Sequence, residues 1–249
     1  MSKEPKIPVM ELFGPTIQGE GIMTGTITHF LRTGGCGLRC TWCDSMFAVL
    51  PKEIKAGRTM MTTGEILEAV KQKPYAPYLT LTGGDPCIHK HLGDIIPWLN
   101  AHGIRIAVET QGELFPEWLP QADVVTFSPK GPSSGNVVHL GKLTKYVTGS
   151  SSTRQRICIK IVVFDKGDFE YAMQAHKFIP EWSYEAFYFT AGTPLGAPSP
   201  NERVYGVLKN QHALAEMILE QSRIYPFNEK THIGSQQHVL LWPDKDKGV

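Results

Sequence analysis

Residues Cys36-Gly-Leu-Arg-Cys40-Thr-Trp-Cys43-Asp-Ser45 put three thiols within eight residues, at offsets of four and then three. Thiolates so spaced can turn inward from one short loop onto a single soft metal centre. A structural zinc site prefers four closed ligands, usually as two separated pairs, and only the Cys40 to Cys43 step is pair-like here. Three thiolates on a cubane iron–sulfur cluster leave one iron open, which suits a cluster that does chemistry better than one that only carries electrons. The other readings are cysteines packed as small hydrophobes and a thioredoxin-like redox pair at Cys40 and Cys43.

Outward from this loop the chain alternates strand and helix. His29–Arg32 reads as a strand, ended by Gly34 and Gly35 just before the first cysteine. Further strands are expected at Tyr78–Thr82, Ile104–Glu109, Val124–Phe127, Ile157–Phe164 and Ala186–Phe189. Between them, Thr62 and Glu65 form a capping box ahead of a helix whose inner face carries Ile66, Leu67, Ala69 and Val70. Leu92–Ala101 is expected to be helical, kinked near Pro97 and closed by Gly103. Asp168–Ile179 and Asn201–Gln221 complete the helices, and the chain from Tyr225 reads as a tail.

Six strands, most followed by a helical segment, predict an α/β fold: a parallel sheet with helices outside, in a partial, incomplete TIM-like barrel with about six mainly parallel strands. The unusual residues all follow strands. The cysteines, Gly83-Gly84-Asp85, Glu109-Thr110-Gln111-Gly112, Ser128-Pro129-Lys130 and Thr190-Ala191-Gly192 each stand at a strand's C-terminal end, where such folds place their sites. Ahead of the first strand of this series, Val9–Gly21 reads as a short strand leading into a loop. There Gly19 and Gly21 permit close backbone approach, and Gln18 and Glu20 offer an amide and a carboxylate.

With 249 residues and 41% apolar content, the chain can bury a full core, and one domain over 1–249 is expected. A net charge of +1 without long basic runs asks for neither nucleic acid nor an anionic membrane. No stretch reaches membrane-spanning length, and five cysteines, three of them clustered, fit a reducing cytoplasmic compartment rather than a disulfide framework. Cys158, in an apolar run, reads as core; Cys87 has no assigned role.

At Cys36, Cys40 and Cys43 the chain resembles the radical S-adenosylmethionine superfamily, whose signature is CxxxCxxC. The resemblance implies a 4Fe-4S cluster whose open iron is chelated by S-adenosylmethionine, which on one-electron reduction yields a 5′-deoxyadenosyl radical. Ile17-Gln-Gly-Glu-Gly21, Arg32 and Cys43-Asp44-Ser45 together narrow it: the whole chain resembles the 7-carboxy-7-deazaguanine synthase family of queuosine and 7-deazapurine biosynthesis.

By that resemblance Ser45 is a Mg²⁺ ligand, with substrate and water completing the shell. Ile17, Gln18, Gly19, Glu20, Arg32, Thr82, Glu109 and His238 face a 6-carboxy-tetrahydropterin, and Gly84, Ser128, Pro129 and Lys130 contact S-adenosylmethionine. The residues agree with these roles in part. Arg32 can pair with a carboxylate in bidentate fashion, Gly84 suits approach to the methionyl amine, and Glu109 suits a ribose hydroxyl, a substrate amine or a buried structural pairing. The resemblance further implies a homodimer, a flavodoxin or ferredoxin electron donor, a substrate loop at 9–21 and a C-terminal extension at 225–249. Two departures from the family pattern stand out: its Thr-Gly-Gly-Glu-Pro is Thr82-Gly-Gly-Asp85-Pro here, and its Glu-Thr-Asn-Gly is Glu109-Thr-Gln111-Gly. Thr190-Ala-Gly-Thr193 replaces a Gln-Pro-Met-Asp stretch of some members. The competing functions are a glycyl-radical-activating enzyme, which needs no Mg²⁺, and a non-catalytic zinc or iron–sulfur binding module.

Overall fold

In a computed structural model, residues 4–136, 139–150, 154–245 and 248 are described. The ends of the expected single domain, residues 1–3 and 249, and positions 246 and 247 of the C-terminal extension lie outside them. In chain order the elements are β1 (Ile7–Ile17), β2 (Ile27–Thr33), α1 (Pro51–Gly57), β3 (Thr59–Met61), α2 (Thr63–Lys71), β4 (Tyr78–Gly83), α3 (Ile96–Ala101), β5 (Arg105–Thr110), β6 (Val124–Phe127), α4 (Leu140–Gly149), β7 (Arg156–Val163), α5 (Lys166–Phe178), β8 (Ala186–Ala191), α6 (Pro200–Gln221), β9 (Thr231–Gly234) and α7 (Gln237–Leu241). The strands form one open sheet in the order β3-β1-β2-β4-β5-β6-β7-β8-β9. From β2 to β9 every neighbouring pair is parallel, while β1 runs antiparallel to both β2 and β3.

Because side chains alternate across a strand, each parallel strand feeds two layers. Leu31, Leu79, Leu81, Ile106, Val108, Val125, Phe127, Ile157, Ile159, Ile161, Phe187 and Phe189 face outward to the helices and join one large core with Ile66, Val70, Leu143, Val147, Ala172 and Leu214. The alternate residues face the concave side. At its lower end Tyr78, Ala107 and Val124 pack against Ile22 and Met23, carried by a single 3-10 turn between β1 and β2. This turn plugs the half-barrel's floor, so the loop above it, Gln18 to Glu20, lies inside the curve of the sheet.

The capping box is present: Glu65 N donates to Thr62 Oγ1 at 3.2 Å and Thr62 N to Glu65 Oε2 at 2.7 Å, with Ile66 and Val70 buried. Two expectations need correction. The first strand does not give way at Gly14 and Pro15 but continues to Ile17, because a register irregularity between Phe13 and Thr16 removes Pro15 from the ladder, where its missing N–H would cost a bond. Pro97 does not kink a continuous helix: a 3-10 segment over Lys90–Ile95 precedes it, and it sits in the first turn of α3, where no N–H is needed. No helix among the described residues is long and apolar enough to cross a membrane.

Candidate active site

One cavity opens at the C-terminal rim of the sheet, enclosing with its mouth about 1280 Å³, beyond the usual range for one drug-sized ligand. Every candidate site residue from the sequence lines it except Pro129, which is buried beside it. The cysteine loop closes one side. Leu38 N donates to Cys36 Sγ at 3.4 Å and Asn136 Nδ2 to Cys40 Sγ at 3.5 Å. Burial pushes all three thiols up, Cys43 to about 11 with help from the Asp44 carboxylate, so the bare thiols hold their protons until a metal displaces them. Among the described residues no three His, Cys, Asp or Glu side chains gather around a point that would suit a single metal ion. Three thiols lining one cavity without converging on one ion, two of them already met by N–H donors, fit a cubane that anchors each thiolate on its own iron.

Gly84, just after β4, has a reason within the fold as well. A methyl at position 84 would strike the backbone of Gly35 and come within 2.9 Å of Ala48 O. Gly84 N donates to Thr33 O at 3.0 Å and Asp85 N to Gly35 O at 2.7 Å. The close approach is therefore between the rim and the cysteine loop's own backbone. It sets Cys36's position.

Below this rim sits Asp85, fully buried, accepting from Thr110 Oγ1 at 2.8 Å, Gln111 Nε2 at 3.1 Å and Cys87 N at 3.1 Å. Burial nevertheless pushes its carboxyl up. The two departures from the family pattern thus meet each other: the shorter carboxylate at 85 is bonded by the longer amide at 111. One methylene has moved across the contact. Gln111 Oε1, buried and without a partner among the described residues, is left at the cavity wall.

On the opposite side Arg32 Nε donates to Glu11 Oε2 at 2.9 Å and Nη1 to Ser45 Oγ at 3.0 Å, with the rings of Phe13 and Phe47 about the guanidinium. Nε is committed to Glu11, which leaves the terminal amino edge as the side on which the guanidinium can meet an anion. Ser45 Oγ donates in turn to Asp44 Oδ1 at 3.0 Å, and Asp44 Oδ2 accepts from Gln236 at 3.3 Å. A cation at the Ser45 hydroxyl alone would face the Arg32 charge. Asp44 supplies the anionic oxygen that Ser45 lacks.

At the centre, Glu109 accepts from Gln18 Nε2 at 3.0 Å and Thr82 Oγ1 at 2.9 Å, while Gln18 Oε1 accepts from the Gly19 and Glu20 amides. The structural pairing of Glu109 is real, and it organises the substrate loop. His238 lies against Gly19, where a methyl would collide with its ring, and Gln237 N donates to Gly19 O at 3.0 Å. Lys130 Nζ donates to Ser128 Oγ at 2.9 Å and lies 5.7 Å from the Trp42 ring centroid. Trp42 Nε1 donates to Ser133 Oγ at 2.8 Å, and Ser133 is held by the buried Asp168. Burial and the nearby Lys160 charge push Lys130 down.

Lys160 was missed. It is the one charged residue inside the apolar run from Ile157 to Phe164, and that interruption is the signal that could have found it. On β7 it faces the cavity and pairs with Glu20 Oε2 at 2.5 Å.

Residues 30–128 match the family model described as the radical SAM superfamily. The chain is 40% identical to the 7-carboxy-7-deazaguanine synthase of Bacillus cereus over 98% of this chain and 99% of that one. It is 34% identical to the enzyme of the same name from Bacillus subtilis, over 98% of both. The chain belongs to the 7-carboxy-7-deazaguanine synthase family. Its fold matches the crystal structure of QueE from Escherichia coli with a TM-score of 0.66 over 94% of this chain and 95% of that one, at 21% identity. It also matches Streptococcus suis SuiB bound to S-adenosylmethionine, with a TM-score of 0.57 over 80% of this chain and 48% of that one, at 13% identity. As a member of the synthase family the chain is a radical S-adenosylmethionine enzyme, with a 4Fe-4S cluster and S-adenosylmethionine as its cofactors.

Proposed function

We propose that this enzyme converts 6-carboxy-5,6,7,8-tetrahydropterin to 7-carboxy-7-deazaguanine with loss of ammonia, within one domain spanning 1–249. The observation that carries the reading is the single cavity in which the three thiols, the Arg32–Ser45–Asp44 chain and the Gln18–Glu109–Thr82 network face one another. Neither a glycyl-radical-activating enzyme nor a binding module needs all three.

Cys36, Cys40 and Cys43 hold the cluster, and Gly84, Ser128, Pro129 and Lys130 contact S-adenosylmethionine. Together, when bound, the two cofactors supply the radical that takes a hydrogen atom from the substrate carbon bearing the carboxylate. The protein's part is position and dryness. Arg32 receives the substrate carboxylate on its terminal amino edge, and that carboxylate, Ser45, Asp44 and water complete the shell of a Mg²⁺ ion that enters with the substrate. Bound there, a divalent cation would supply charge to hold the carboxylate, with Arg32, Ser45 and Asp44 setting its orientation. Ile17, Gln18, Gly19, Glu20, Thr82, Glu109 and His238 line the substrate's ring. Gln237 and His238, closing over the loop, exclude water from the radical's path.

A flavodoxin or ferredoxin as reductant and a homodimeric assembly belong to the same reading. It is tested by anaerobic turnover of reconstituted protein with S-adenosylmethionine, dithionite, Mg²⁺ and the pterin, following product and 5′-deoxyadenosine together. Formation of 7-carboxy-7-deazaguanine is expected. Deoxyadenosine without that product refutes the substrate, and neither species from protein with an intact cluster refutes the enzyme.

A further inference from the structure

The ion pair between Lys160 and Glu20 has no role in the reaction as derived so far. Both side chains are almost fully buried, 9% and 11% exposed, on the inner wall of the cavity. A buried ion pair gains little over an apolar pair of similar volume, so stability alone gives no reason to keep one inside a strand that is otherwise apolar. Burial on its own would raise the Glu20 pKa, but Lys160, with His238 and Lys130, outweighs it and holds the carboxyl at about 2. Burial likewise opposes the Lys160 charge, and Glu20 and Glu109 outweigh that and push its pKa up. Glu20 is thus an anion, and a hydrogen-bond acceptor only.

Only one of its oxygens is used. Oε2 takes Lys160, while Oε1 is buried and has no partner among the described residues. Leaving such an acceptor unmet in the interior carries its full desolvation cost. The Gly19 and Glu20 amides and Gln18 Nε2 are bonded within the Gln18–Glu109 network and Thr82 Oγ1 to Glu109, while Lys130, with one N–H on Ser128, and His238 lie near Glu20 without a hydrogen bond to Oε1. Oε1 is therefore open to a donor on a molecule that fills the cavity.

We infer that Lys160 is a positioning residue that clamps Glu20 through Oε2, so that Oε1 accepts an N–H of the substrate's aminopyrimidinone ring. The inference rests on the pterin reading above. Lys160 acts through Glu20, and this separates it from a residue that binds substrate directly or merely supports the fold.

The test is a double-mutant cycle of Lys160→Met and Glu20→Gln on reconstituted protein with S-adenosylmethionine and Mg²⁺. It measures the dissociation constant of 6-carboxy-5,6,7,8-tetrahydropterin by anaerobic calorimetry, alongside KM, kcat and iron content. Lys160→Met is expected to weaken binding and raise KM roughly 10- to 100-fold, the scale of a hydrogen bond to a charged group, with iron content unchanged and kcat within about threefold. In the Glu20→Gln background the same change is expected to cost nothing further. Lys160→Arg, which keeps the charge, is expected to recover most of the affinity. If Lys160→Met does not fold, the double variant, which buries no unpaired charge, is compared with Glu20→Gln alone. Equal affinities support the inference and a further loss overturns it. An unchanged dissociation constant in Lys160→Met, a loss confined to kcat, or additive losses also overturn it. Wild-type protein that fails to bind the pterin refutes the substrate reading instead, and the inference falls with it.

Discussion

The Asp85–Gln111 contact can be interrogated by moving its methylene back. Gln111→Asn shortens the amide by one carbon, about 1.5 Å, which opens a 3.1 Å bond to a carboxylate with no exposure to solvent. A lost hydrogen bond to a buried charged group is worth about 1.5–3 kcal/mol. Asp85→Glu has the opposite fault: it forces an extra methylene into a site already filled by Thr110, Gln111 and the Cys87 amide, at a cost of about 1–3 kcal/mol. Each single variant should therefore lower the melting temperature by about 4–8 °C, taking ~2 kcal/mol and a chain of this length. The double variant, Asp85→Glu with Gln111→Asn, restores the summed length and should melt within about 2 °C of the parent, a coupling of about 3–4 kcal/mol, at or just above the upper end of measured pairs. Anaerobic thermal melts of the four proteins, with iron content as a check on the neighbouring cysteine loop, decide it. Additive losses, or single variants that melt like the parent, would refute the idea that the two residues compensate each other.

Gly84→Ala should displace the Gly35 and Ala48 backbone and lower both cluster content on reconstitution and stability, by about 3 kcal/mol at the upper end of overpacking costs; normal iron content by absorbance and metal analysis would count against it. Ser45→Ala removes the hydroxyl that joins Arg32 to Asp44, and should keep the cluster while blunting the Mg²⁺ response of turnover, whereas an unchanged metal titration would exclude the ligand role. His176, buried between Tyr225 and Thr231, has its pKa pushed down by burial. The unfolded chain then binds the extra proton first, so the stability it contributes is present above about pH 6.5 and is lost as pH falls through the lower folded value. Melting curves from pH 7.5 to 5 should steepen less in His176→Phe than in the parent, and identical slopes would show that His176 carries none of the acid loss.

The six parallel strands were legible because strands buried on both faces read as continuous apolar runs, and each stopped within a residue or two of its expected end. Shorter pieces were not. α1, β3 and β9 carry few or no buried apolar residues, so no pattern announces them, and their backbone order comes from neighbours across the sheet or loop. α4 was legible in principle: Leu140, Leu143 and Val147 follow helical spacing, and the last two are buried. In the site, the motif residues were visible because they break apolar runs at strand ends. What sequence order could not convey was which partners they would choose. Gly84, at the cavity wall, also packs against the Gly35 backbone, Asp85 and Gln111 lie 26 residues apart yet share a bond, and Ile22 and Met23 fill the floor of the barrel just after the Gly-rich loop.

The Gln237–Gly19 hydrogen bond joins the substrate loop, which follows the first strand, to a helix at the far end of the sequence. In the order of synthesis, the cysteine loop and the strands that support it leave the ribosome long before residue 237. A nascent chain can therefore shape its cluster-binding half while the wall over the substrate loop is still unmade. The contact that fixes Gly19 is thus made only after about two hundred further residues have been added, and the shape of the Gln18–Glu20 loop waits on a helix that follows every strand of the sheet.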